Sequence, residues 1–197
     1  MKRVERRALS SFVMDSGEKR LNSDYYVEGY ATTYNQPYEL YTDEYGVAHY
    51  EMIQAGALQG AEMADVVMLY DHDSRVVART TNGTLLLFPN DPAGLLIAAD
   101  LSKSDFAQQI HGDIQAKLLT RMSWTFEVAP GGEYYDQANH TWVITKIRRV
   151  YEVAAVALPA NEDTVIEARN KTQAAEAAQA KNQLERCRAK CRALLNL

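Results

Sequence analysis

From Tyr25 to Pro159, short runs of aliphatic, β-branched and aromatic residues succeed one another, each closed by a turn signal. This feature constrains the fold most, because strands that short can bury an apolar face only by pairing within a sheet. Residues 25–34 (YYVEGYATTY) read as a strand with Gly29 at a bulge or bend. Residues 38–50 read as a hairpin or ordered loop around Gly46, and residues 50–58 (YEMIQAGAL) as a short helix ending near Gly60. Residues 66–70 (VVMLY) form a buried strand that stops at the polar turn Asp71-His72-Asp73-Ser74. Residues 76–81 and 84–88 are expected to pair across an Asn82-Gly83 hairpin turn, and residues 95–101 make the next strand after a turn at 90–94.

Residues 104–119 break the pattern. Phe106, Ile110, Ile114 and Leu118 recur every four residues, the spacing of one helix face, with Ser104 as N-cap and Asp105 in the first turn. Strand character returns at 121–128 (RMSWTFEV), then at TWVITKI and RVYEVAAVAL, which Pro159 ends. About seven or eight short strands with one or two inserted helices favour a mainly β fold, a closed or nearly closed barrel with peripheral helices. Residues 1–24 read as an N-terminal arm or first strand. From Ala160 onward Ala, Gln, Lys, Glu and Arg dominate without Gly or Pro, the composition of a helical tail.

Composition narrows the class further. The chain has 197 residues with 47% hydrophobic content, which suffices for a core, and a net charge of −5. That charge balance lacks the basic face of a nucleic-acid binder. Cys187 and Cys191 are the only cysteines, four apart in the tail and poorly placed to bond to each other, so a reducing intracellular setting is expected. There is no apolar signal region at Met1, and no run approaches the roughly 18 apolar residues of a membrane span. No membrane association is expected.

Two residues carry the chemistry. Of four histidines, His72 alone follows an apolar strand directly, between two aspartates able to raise its pKa or orient its ring. Ser123 lies between Met122 and Trp124 inside a strand. Taken singly, each has an ordinary explanation: an exposed histidine in a polar turn, a satisfied core hydroxyl. A serine needs an adjacent base to attack a carbonyl well, and only the fold can bring His72 to it. Glu152, in the apolar run RVYEVAAV, is a carboxylate that needs a partner if buried, or else an outward-facing strand residue. No metal-ligand spacing, P-loop, dinucleotide fingerprint or G-x-S-x-G elbow is present, and no metal or cofactor is expected.

In order, the stretches VEGYATTYNQPYEL, VVMLYDHDSRVVARTTNGTLLL, DPAGLLIAADL, GDIQAKLLTRMSWTFEV and RRVYEVAAVALPANEDTVIEAR resemble the HK97-type prohead protease family of tailed bacteriophages. The resemblance runs from about Tyr25 to Arg169, which sets a protease domain at 25–169 and a helical tail at 170–197. It implies a fold like that of the herpesvirus assembly proteases, a β-barrel with helices around it. It implies a serine endopeptidase in which His72 is the general base, Ser123 the nucleophile and Glu152 the orienting acid. Asp71 stands where the family often has asparagine, and Trp124-Thr125-Phe126 replaces the usual glycine before phenylalanine. Arg148 or Arg149 is a candidate to help hold the oxyanion. The expected partner is the major capsid protein with its scaffolding segment, cut inside the assembling procapsid in the host cytoplasm. Self-cleavage, a targeting role for the tail and a homo-oligomer, a dimer as in the related viral enzymes, are further expectations. The alternative is a non-catalytic capsid assembly or scaffolding factor that keeps the protease fold.

Overall fold

The computed structural model describes residues 4–13 and 19–157. The tail at 170–197, the boundary at 169, the stop at Pro159 and the two cysteines lie outside the described residues. Within them the chain forms β1 (Val4–Val13), β2 (Tyr26–Thr33), β3 (Tyr38–Thr42), β4 (Ala48–Ile53), β5 (Val67–Tyr70) and β6 (Val76–Arg79). These are followed by β7 (Leu85–Phe88), β8 (Gly94–Asp100), α1 (Asp105–Gln115), β9 (Arg121–Val128), β10 (Glu133–Asp136), β11 (Thr141–Ile144) and β12 (Ile147–Val156).

Two sheets result. The larger runs β6-β5-β12-β9-β1-β2-β8-β7 and the smaller runs β10-β11-β4-β3. In the larger sheet β5 and β12 are parallel and the other described neighbours antiparallel. The segment read as an arm or first strand thus contributes β1, between β9 and β2.

Alternation along β9 sets the site. Met122, Trp124 and Phe126 are fully buried in the main core, with the Trp124 and Phe126 rings stacked at 4.3 Å between centroids. A strand sends successive side chains to opposite faces, so Ser123, Thr125 and Glu127 share the other face. Beside β9, β12 has a bulge between Val150 and Glu152. Val150, Val153 and Ala155 all pack in the core, although 150 and 153 have opposite parity. The extra residue, Tyr151, flips the phase and turns Glu152 onto the Ser123 face, opposite Thr125.

The helix follows its sequence signals. Ser104 caps α1 by accepting a hydrogen bond from the Ala107 N–H at 3.1 Å, and Ala107, Ile110 and Ile114 bury its inner face. Leu118 falls past the end of α1 and is exposed, while Leu119 takes the buried position.

Two expectations are corrected. Residues 50–58 hold no helix: β4 is a central strand of the small sheet, and the chain turns through Gly56 and Gly60 after it. Asn82-Gly83 does not join a hairpin. Thr80–Asn82 is a 3-10 turn capped by Gly83 at φ 73°, and Leu85 leaves it to bury against β8 opposite Ala99. The mainly β expectation holds, while among the described residues no ladder joins edge strand β6 to edge strand β7, and a closed barrel is not found. The five residues 80–84 connect those edges, with the Arg79 N–H at the end of β6 donating to the Thr84 hydroxyl at 2.8 Å.

Candidate active site

His72 sits in the turn that follows β5. Asp71 and His72 have φ of 49° and 56°, and the Asp73 N–H bonds the Tyr70 carbonyl at 2.9 Å. Positive φ at both central residues is the signature of a type I′ turn, normally served by Asn-Gly. Two non-glycine residues hold left-handed backbone here at about 1–2 kcal/mol each. The surrounding structure enforces it, since the Asp71 N–H donates to the Ala155 carbonyl of β12 at 2.8 Å.

This turn swings the imidazole over the strand pair that carries the other two candidates. His72 Nε2 is 2.7 Å from Ser123 Oγ, and His72 Nδ1 is 2.6 Å from Glu152 Oε1. Ser123 faces Ala154 across the β9–β12 ladder, and Thr125 faces Glu152. The structure therefore brings together all three residues singled out from the sequence. Ser123 is 1% exposed, and the His72 and Glu152 side chains are 6% and 13% exposed. Water screens such a pair weakly.

The hydrogen-bond donors follow from the chemistry. An ionised carboxylate only accepts, so Nδ1 carries the proton toward Glu152. The lone pair of Nε2 is then directed at Ser123, whose hydroxyl donates to it. This is the tautomer in which an imidazole can remove a serine proton. Sequence reasoning missed one member of the group: the Thr125 hydroxyl donates to the same Glu152 Oε1 at 2.7 Å. The signal was its position two residues after Ser123, hence on the same strand face.

Arg148 and Arg149 are engaged elsewhere. Arg148 donates to Glu127 at 2.6 Å, and Tyr151 donates to Glu127 at 2.7 Å, a bond that raises the tyrosine pKa. Arg149 lies 3.5 Å from Glu62. Neither arginine bonds His72, Ser123 or Glu152 among the described residues, so the expectation that one of them holds the oxyanion gains no support. The remaining histidines serve other contacts. His49 binds Asp43 at 3.2 Å and Tyr135 at 2.8 Å, and His140 meets the same Tyr135 hydroxyl. His111 packs edge-on to Tyr25, and burial lowers its pKa. Among the described residues no group of three or more His, Cys, Asp or Glu is arranged to hold a metal ion, and no helix is long and apolar enough to cross a membrane.

No curated protein and no solved structure matches the chain. A family model does: that of the caudovirus prohead serine protease matches residues 12–179, which include His72, Ser123 and Glu152. With the match extending over most of the 197 residues, the chain belongs to the caudovirus prohead serine protease family.

Proposed function

We propose that the chain is a serine endopeptidase that cuts the scaffolding segment from the major capsid protein, and cuts itself, during prohead maturation. The observation that carries this is the continuous hydrogen-bonded line Ser123 Oγ, His72 Nε2, His72 Nδ1, Glu152 Oε1, with links of 2.7 and 2.6 Å. Membership of the prohead protease family supports the capsid as the setting.

In the proposed mechanism Ser123 Oγ attacks the scissile carbonyl while His72 Nε2 takes its proton. The imidazolium that forms is stabilised by Glu152 through Nδ1–H. His72 then returns the proton to the leaving amine, the C–N bond breaks, and an acyl-enzyme remains on Ser123. Water, deprotonated by His72, then attacks the acyl carbon, the bond from that carbon to Ser123 Oγ breaks, and His72 returns the proton to Oγ, which frees the new carboxylate and restores Ser123.

The domain is proposed to span 25–169 and to share the herpesvirus assembly-protease architecture, with the β6–β7 connection standing at the barrel seam. The tail at 170–197 is proposed as a targeting helix, and the working unit as a homo-oligomer. Co-expression with the phage's major capsid protein, read by intact mass, tests the function. The expected outcome is loss of an N-terminal capsid segment with the wild type and an intact capsid protein with Ser123→Ala. Equal masses in both would end the protease reading in favour of an assembly factor.

A further inference from the structure

Glu152 Oε1 accepts two hydrogen bonds: one from His72 Nδ1–H at 2.6 Å, one from the Thr125 hydroxyl at 2.7 Å. We infer that Thr125 is a positioning residue of the site, its hydroxyl fixing the Glu152 carboxylate toward His72 and sharing its charge. This rests on the serine protease reading.

Three observations carry it. First, Thr125 and Glu152 are register partners across β9 and β12, so the contact is set by the ladder rather than by flexible side chains. Second, Thr125 is β-branched and buried in a strand, which leaves its χ1 little freedom and holds Oγ1 in one direction. Third, the bulge at Tyr151 that brings Glu152 to this face sets it opposite Thr125, so the two features operate together. The hydroxyl opposes rotation of the carboxylate about its last bond and so helps fix the oxygen facing His72.

The charge effect has a definite sign. A hydroxyl that donates to a carboxylate stabilises its negative charge and competes with the imidazole for it. Removing that donor leaves more charge for the imidazolium. The protonated, inactive form of the base is then favoured, and the acid limb of the pH–rate profile moves to higher pH. A hydroxyl that merely filled space would leave that limb where it was.

The test compares wild type, Thr125→Val, Thr125→Ala and Thr125→Ser in cleavage of the capsid protein. Val keeps the shape without the donor, Ala gives a second fold-competent variant, and Ser restores the donor. Expected is a fall in kcat of about tenfold for Val and Ala at unchanged KM, an acid limb moved upward in pH, and recovery of both by Ser. Val and Ala variants with wild-type kcat and pH profile would overturn the inference, as would a Ser variant as impaired as Val. A second readout needs no turnover. In the Ser123→Ala protein, the low-field proton resonance of His72 Nδ1 should move when Thr125→Val is added, and an unmoved resonance would overturn the inference. If wild type cleaves nothing, the protease reading fails, while the resonance still reports whether Thr125 acts on the His72–Glu152 pair.

Discussion

Replacing Glu152 by Gln asks how much of the chemistry depends on a charge rather than on shape. The amide oxygen can occupy the place of Oε1 and still accept from His72 Nδ1 and Thr125 Oγ1, so the imidazole tautomer and the packing survive. The negative charge facing the imidazolium is lost. With Nδ1 and Oε1 2.6 Å apart, the two charge centres lie about 4 Å from each other, which at an effective dielectric of about 20 corresponds to about 4 kcal/mol. Since about 1.4 kcal/mol is tenfold in rate, kcat should fall about 10³-fold with KM little changed. Turnover would be followed by the initial rate of capsid-protein cleavage near neutral pH. Thermal unfolding would be measured in parallel, where Tm should stay within about 4 °C of wild type. A Glu152→Gln variant that turns over within about threefold of wild type would refute the reasoning. Glu152 would then be a buried structural carboxylate, and the base would need no anionic partner.

Three further outcomes follow from the fold and its charges. Asp71→Val sets a β-branched residue at φ 49° in the primed turn and should lower unfolding stability by about 1–2 kcal/mol in urea titration, whereas Asp71→Asn should be nearly neutral. Gly94→Ala would bring a Cβ to 2.0 Å from the Thr32 carbonyl oxygen, and the clash of β8 with β2 should lower stability by about 3 kcal/mol or more in the same assay. Burial alone would raise the pKa of Asp100, but hydrogen bonds from Ser23, Ser102 and Lys103 outweigh it and hold the carboxyl down at about 2. A depressed folded-state pKa gives stability that is complete above the unfolded value near 3.9 and is lost as pH falls through about 2. Wild type should therefore lose on the order of 2 kcal/mol between pH 5 and pH 2 that Asp100→Asn does not lose, read as the difference between their urea midpoints against pH.

What the sequence made legible was whatever depends on a single element. The alternation in RMSWTFEV gives β9 and puts Ser123 on one face, and the fourfold spacing with Ser104 ahead of it gives α1 and its cap. β4 was hidden because its inward positions include His49 and Glu51, polar residues that hydrogen bonds to Asp43, Tyr135 and Tyr38 make burial-compatible. The hydropathy alternation that marks a half-buried strand is therefore absent there. Asn82-Gly83 misled for the opposite reason. It is a strong local hairpin signal, overridden when Leu85 finds its buried place against β8. Glu152 was legible as a carboxylate in an apolar strand. Its facing depends on the bulge, which shows in the sequence only as Val150 and Val153 three apart where alternation calls for two or four. Thr125 went unnoticed because its partner lies 27 residues away on another strand. The distances of 51 and 80 residues that separate His72 from Ser123 and Glu152 are bridged only by the order β5-β12-β9, which no local pattern encodes.

The most direct test of Ser123 as nucleophile is phosphonylation by a small fluorophosphonate, read by tryptic peptide mass. Trypsin cuts after Arg121 and Lys146, so Ser123 is the only serine of the peptide 122–146. Expected is a single adduct on that peptide in wild type, none in Ser123→Ala, and sharply slowed labelling in His72→Ala. An adduct on a different serine, or capsid cleavage that continues in Ser123→Ala, would contradict it.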